Sequence, residues 1–402
     1  MPVKSGTLLR SCRAKLPEPT GTAHHDDLGG IVLHNSPCVL SLVAIALAFS
    51  LTNTACQQLK QFDALYGCEA NPTGNPIGGG EGYSDIKSTG DFIVRTRQEL
   101  LDALKQAQDG QVVFVPGDVE IDLGGAMGIR IPSRVTLAGD RGLRGSAGAL
   151  LYNRTTTGTQ FVTDGEYVRI TGLRIEGPFA GGELIAESAT GIQTTHFATE
   201  VDNCEIFNWN IQGVYTGLGA SQVHVHHNHI HHCQRSGYGY GVVVYSSDVR
   251  IIGNTFDYCR HHIAAGGAPG CSYQAAWNYF SENCTSSLVD MHGGRDRGDN
   301  TDIAGDWMAV HHNTFAGPKR AIGIRGTPSQ GAEIHNNWFS QPPEETNAST
   351  GNTRVYNNVY GPDKTPQEMA FEFVNAERVM RPEGFSDRLV PIINPLGPQA
   401  AP

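Results

Sequence analysis

"HHNTFAGPKRAIGIRGTPSQGAEIHNNWF", residues 311–339, closes on nearly the phrase with which it opens. His311-His312-Asn313-Thr314-Phe315 and His335-Asn336-Asn337-Trp338-Phe339 stand 24 residues apart, with Arg320 and Arg325 between them. The phrase recurs along the chain. Aligned on the last asparagine before an apolar residue, it reads "EVDNCEI" at Asn203, "VHVHHNHI" at Asn228, "VRIIGNTF" at Asn254 and "QAAWNYF" at Asn278. Asn313, Asn337 and "RVYNNVY" at Asn358 follow. The intervals are 25, 26, 24, 35, 24 and 21 residues, and Gly172 in "VRITGLRI" holds an earlier slot of the same alignment. A recurring interval of this size marks a stacked repeat. With two or three strand-like pieces per turn, it predicts an all-β parallel β-helix, a single-stranded solenoid whose coils stack about 4.8 Å apart. Leucine-rich repeats have similar periods, but their leucine pattern is absent. The asparagines are expected to form a structural ladder at a sharp turn, and Cys233, Cys259 and Cys284 a second column.

Composition agrees with many short strands. The 402 residues hold 49 glycines and 21 prolines with only 17% charged side chains, and the net charge of −11 argues against general nucleic-acid binding. An anionic ligand would need a local basic patch. The apolar run "VLSLVAIALAFSL", residues 39–51, is too short to span a bilayer and reads as a signal-peptide core. Residues 1–56 are therefore expected to be a leader. The product is expected to be secreted, periplasmic or held at the cell surface, with Cys56 a possible lipidation point. Residues 57–95 read as an N-terminal extension, 96–361 as the solenoid and 362–402 as a tail without repeats. In "TRQELLDALKQAQDG", Thr96 and Glu99 make a capping box and Gly110 is the expected stop; this amphipathic helix is expected to cap the open end of the solenoid. Nine cysteines without CxxC spacing permit disulfides in an exported chain but suggest no metal site. The chain is expected to act as a monomer.

Strand alternation then assigns faces. In "LVDMHGG" and "AIGIRG", Val289, Met291, Ile322 and Ile324 should point inward, and Asp290, His292 and Arg325 outward. By the same register His262 points out from the preceding coil, and Tyr215 and Tyr245 from coils further up. The interval of 35 residues places its excess in "GGRDRGDNTDIAGD", a loop beside this strand with Arg295 and Arg297 on it. Arg295, Arg297, Arg320, Arg325 and several histidines would thus gather on one flank with tyrosine faces for sugar rings, a setting for an anionic polysaccharide, with Arg260 a further candidate binder. The histidines of residues 226–232 look like a metal cluster, but alternation is expected to scatter them.

The stretch from "VDMHGG" to "HNNWF", residues 289–339, resembles the catalytic stretch of pectate lyases: an HHN-x-F, two arginines five apart, then a second His-Asn-Asn. "NPIGGGEGYSDI" resembles the start of pectate-lyase-like exported proteins. The resemblance covers about residues 75–360 in architecture, and 288–339 in specific motifs. It implies a right-handed parallel β-helix and β-elimination from a uronic-acid polysaccharide, with Arg320 as base and Arg325 as binder. It also implies Ca2+, whereas the positions for its aspartates here read Arg260, His261 and His262, so no cofactor is assigned. Ile322 replaces the family's proline, and Ser287 or Leu288 its lysine. A guanidinium is a poor base. The residues themselves favour His292, oriented by Asp290, or Arg325 as base over Arg320. Two rivals stay open: a glycoside hydrolase using a pair among Asp290, Asp299, Asp302 and Asp306, and a non-catalytic carbohydrate-binding solenoid.

Overall fold

The computed structural model describes residues 66–155, 158–179, 188–342 and 351–362, together with the backbone of 347–348 and 365–367. The expected leader with Cys56, and nearly all of the expected tail, lie outside these residues. Three long sheets run the length of the molecule. Sheet A extends from Phe92–Ile93 to Thr353–Tyr356, sheet B from Glu120–Asp122 to Thr365–Gln367, and sheet C from Ile129–Pro132 to Asn347–Ala348. Each coil gives one strand to each sheet in turn. Val223–His226 lies in A, His229–His231 in B and Tyr240–Val244 in C, and Asp248–Ile252 then returns to A beside the first. Pairing is parallel throughout except for the last pair of sheet B, Asn358–Tyr360 with Thr365–Gln367. This is the parallel β-helix that the repeat predicts. Among the described residues no helix is long and apolar enough to cross a membrane.

The interior is built of columns because every coil presents the same position to the next. Val214, Val242, Ile263, Val289 and Ile322 stack inside sheet C, all fully buried. Phe256, Phe280, Phe315, Phe339 and Tyr360 stack with ring centroids 5.3, 4.7, 4.8 and 5.3 Å apart, close to the spacing of adjacent strands. Cys233, Cys259 and Cys284 form the expected thiol column, and all six described cysteines are buried and free.

The asparagine ladder exists, with one correction of register. The backbone N–H groups of Asn228, Asn254, Asn278, Asn313 and Asn337 each donate to Oδ1 of the next asparagine at 2.9 Å, ending on Asn358. Cys204, not Asn203, heads this column, donating its N–H to Asn228. Asn203 belongs one place earlier, in a column of left-handed turn residues with Gly172, His227, Gly253, Trp277, His312, Asn336 and Asn357. Asparagine suits both places, being tolerant of positive φ and able to ladder, so sequence alignment slipped between them. Asn278→Ala removes the acceptor for Asn254 N and Nδ2 and the donor to Ile251 O, all buried. Each orphaned group costs about 1–3 kcal/mol. Chemical denaturation should therefore show a loss of about 3 kcal/mol or more, and an unchanged midpoint would refute the ladder's structural role.

The capping helix Arg97–Gln106 starts at Thr96 with the expected capping box, and buries Leu100, Ala103 and Leu104 against the first coil. It ends at Gln106, before Gly110, with Ala107 already extended. Upstream, residues 66–85 run outside the solenoid over the left-handed turns. Gly67 N donates to Asn336 O at 3.1 Å, Gly78 N to Gly253 O at 2.8 Å and Gly80 N to Asn203 Oδ1 at 2.7 Å.

Candidate active site

Sheet C carries the candidate site on its outer face. Its register places Asp290 between Ala264 and Gly323, and His292 follows Met291 into the turn above the position of Arg325. Alternation thus holds for this strand: Val289 and Met291 are fully buried while Asp290 and His292 face away from the core. Asp290 Oδ2 lies 3.1 Å from His292 Nε2 and accepts from Arg325 Nη2; Ser287 Oγ donates to its Oδ1 at 3.3 Å. Arg325 Nη1 donates to Asp296 Oδ1 at 2.9 Å. The five residues form one hydrogen-bonded group, although 33 positions separate His292 from Arg325. Gly323 gives Asp290 its room, since a Cβ there would sit 3.1 Å from Oδ1.

Electrostatics follow from this packing. Burial raises the Asp290 carboxyl, but the bonds to His292 and Arg325 outweigh it and hold the group well below the usual carboxylate range. Burial likewise opposes the charge on Arg325, yet Asp290 and Asp296 together raise its pKa. Its two carboxylate partners thus favour the cationic form of Arg325. His292 keeps its side chain 32% exposed, enough for a ligand to reach the ring. With Nε2 turned to Asp290, the lone pair for proton transfer is on Nδ1.

His262 was expected to face outward and does not. It is fully buried, its ring 5.7 Å from that of Phe256 and 5.8 Å from that of Phe280, and burial drops its pKa to about 3. The position lies at the corner where the chain turns into sheet C, and there His262 and Ile263 both point inward. Alternation is a property of straight strand and fails at such a corner. The outward residue is His261. Its Nδ1 lies 2.5 Å from Ser287 O, its ring stacks on Tyr240 at 5.7 Å, and burial lowers its pKa. The Nδ1 proton goes to that carbonyl, so the buried Nε2 is an acceptor with no partner at the floor of the site.

The other expected ligand-binding residues divide. Arg260 lies 5.9 Å from the Tyr240 ring and lines an open cleft of about 380 Å³ with Phe179, Gln234, Arg235, Gly237 and Thr285. Arg320 is exposed in the column of His261 and Ser287, and Arg295 is exposed on the short helix Gly294–Arg297. Tyr245 shares the column of His292 two coils up, its ring over Gly266 and 6.4 Å from that of Tyr215. Arg297 is a correction: its guanidinium bonds to Gly267 O at 2.5 Å, Ile303 O at 3.0 Å and Asp299 at 2.8 Å. It ties the inserted loop to the coil and is not free for a ligand. The loop carboxylates are also engaged, Asp299 by Thr301, Asp302 by Thr327 and Asp306 by Ser329. Tyr240, His261 and the partnership of Arg325 with Asp296 were not foreseen; the matching offsets of Tyr240 and His261 were the available signal.

The calcium that the pectate-lyase resemblance implies does not fit this site. Its carboxylates, Asp290 and Asp296, are bridged by Arg325, and the preceding coil presents Arg260 and His261 where oxygen ligands would be needed.

No family model matches the chain, and no curated protein does. Among solved structures it is similar to an entity described as "alginate lyase from Paenibacillus sp. str. FPU-7", at 16% identity and a TM-score of 0.47, over 67% of this chain and 97% of that one. A likeness of that degree assigns no activity.

Proposed function

We propose that the chain is a polysaccharide lyase that cleaves a uronic-acid polymer by β-elimination on the outer face of sheet C. One observation carries this reading: a part-exposed imidazole, His292, is held by an anchored carboxylate, Asp290, beside the guanidinium of Arg325, which that carboxylate and Asp296 pair. His292 Nδ1 takes the proton from C5 of a uronate. The electron pair left on C5 delocalises into the C6 carboxylate, where the N–H groups of Arg325 not used by Asp290 and Asp296 meet the growing charge. The C4=C5 double bond forms as the C4–O bond breaks, and the departing oxygen takes a proton from the imidazolium or from water. Arg320 and Arg260 supply positive charge on either side for neighbouring uronates, and Tyr215 and Tyr245 offer ring faces along the same flank.

The hydrolase reading fares worse. It needs a protonated carboxyl near neutral pH, whereas Asp290 is held anionic and the loop aspartates are spent on hydrogen bonds within the protein. Incubation with pectate, alginate, glucuronan and glycosaminoglycans, with and without chelator, tests the proposal. The expected result is ultraviolet absorbance of an unsaturated uronate on at least one polymer, unaffected by chelation. A signal abolished by chelator and restored by Ca2+ would refute the metal-independent mechanism. Binding without any product would favour the carbohydrate-binding solenoid.

A further inference from the structure

The histidines of 226–232 are divided as expected between sheet A, two left-handed turn positions and sheet B, but His226 has a neighbour outside that run. His224 and His226 project from one strand of sheet A, and Glu200 lies on the neighbouring strand directly opposite His224. One ligand atom from each of the three lies within 4.8 Å of the others. Glu200 is 3% exposed and His226 6%. The cluster sits on a different sheet from the site above and is independent of the lyase reading.

Two observations show that this group is incomplete as it stands. The first is the polarity of a hydrogen-bond chain. Thr73 Oγ1 donates to Asn71 Oδ1 at 2.8 Å, and Asn71 is fixed in this sense because its Oδ1 also accepts from Thr73 N. The contact of 2.9 Å between Thr73 Oγ1 and His227 Nε2 must then be donated by the histidine. With one proton per ring, His227 Nδ1 is an acceptor, so His226 Nδ1 donates across the 2.9 Å between them. His226 Nε2 is left with a lone pair, facing Glu200 Oε1 at 2.9 Å. Two acceptors in contact need either one more proton or a cation. Arg169 pairs with the other oxygen of Glu200, Oε2, at 3.5 Å and is hydrogen-bonded to Asp202 at 2.8 and 2.7 Å and to Asp85 at 2.6 Å, so it does not reach the contact between Oε1 and His226 Nε2.

The second observation is His224. Its ring lies 3.9 Å from that of His226 and is nearly buried, and among the described residues it has no hydrogen-bond partner. An extra proton on His226 would satisfy Glu200 and leave His224 without a partner; a metal ion takes all three. A metal-bound imidazole characteristically donates its other ring N–H to an outer partner, which is the relation of His226 to His227.

We infer that Glu200, His224 and His226 bind one divalent transition-metal ion of the zinc class. Two imidazoles and a carboxylate suit Zn2+ or Co2+, not Ca2+, and leave a fourth position open. The similar trio Glu205, His229 and His231 lacks the same need. Glu205 already accepts from Arg174 Nε at 2.8 Å and contacts His231 at 3.1 Å, and His232, the neighbour of His231, is only half-buried, so no chain polarity is imposed. It serves as the internal control.

The full protein, stripped with chelator and titrated with Co2+, is expected to take up one ion per chain with a visible d–d band, which Zn2+ then displaces. Glu200→Gln and His224→Ala should each lose that band, and His229→Ala should keep it. Glu200→Gln is close in shape, so it reports on ligation even where His224→Ala folds poorly. The inference is overturned by a wild-type protein that takes up no ion, by unchanged uptake in Glu200→Gln, or by loss of the band in His229→Ala.

Discussion

His292→Ala is expected to lower kcat on the uronate polymer by about 10²–10⁴-fold, the usual contribution of a positioned acid–base side chain. The effect should fall on kcat and not on KM, since the ring acts on the reacting proton and the cations hold the substrate. The fold should survive. His292 sits outside the core with its side chain 32% exposed, and no ladder bond depends on it. A circular dichroism spectrum and denaturation midpoint matching wild type, together with full turnover, would remove His292 from the mechanism. In that case Arg320, which the pectate-lyase resemblance implies as base, would be the next group to replace.

Arg325→Lys is expected to cost about 10²–10³-fold in kcat/KM, as when one preorganised charge donor is lost. Lysine is the informative replacement. It preserves a positive charge beside Asp290, so it avoids leaving a buried carboxylate unpaired, which would cost about 3–5 kcal/mol and confuse activity with stability. What lysine cannot reproduce is the planar fork that bonds Asp290 and Asp296 while presenting further N–H groups outward. Activity within twofold of wild type would mean that charge alone suffices and that the fork has no role.

How far the sequence could be read depends on which physical rule each residue obeys. The recurring asparagines announced the coils because a ladder needs the same side chain at the same place in every turn, and Asn228 to Asn358 do stack in that way. Asp290, His292 and Arg325 were legible for the same reason: sheet C is straight there and alternation holds. His262 was misread because it lies at a corner, where two successive side chains turn inward. Arg297 was misread because its partners, the carbonyls of Gly267 and Ile303, belong to loop packing that no periodicity encodes. Asn203 shows a third kind of failure, since two adjacent columns accept the same residue. The histidine run joins all three problems. Alternation correctly puts His224 and His226 on one face, but only the neighbouring coil and the overlying segment bring Glu200 and Thr73 to them.

The account rests on one chemical claim, that the Asp290–His292–Arg325 group breaks a glycosidic bond by elimination. Counting new reducing ends and new unsaturated ends side by side, in the same wild-type digest, tests it most directly. Elimination predicts one unsaturated uronate for every reducing end from the first turnovers onward. Reducing ends accumulating without unsaturation would show that the bond is broken by addition of water and not by loss of the C5 proton, and would contradict elimination.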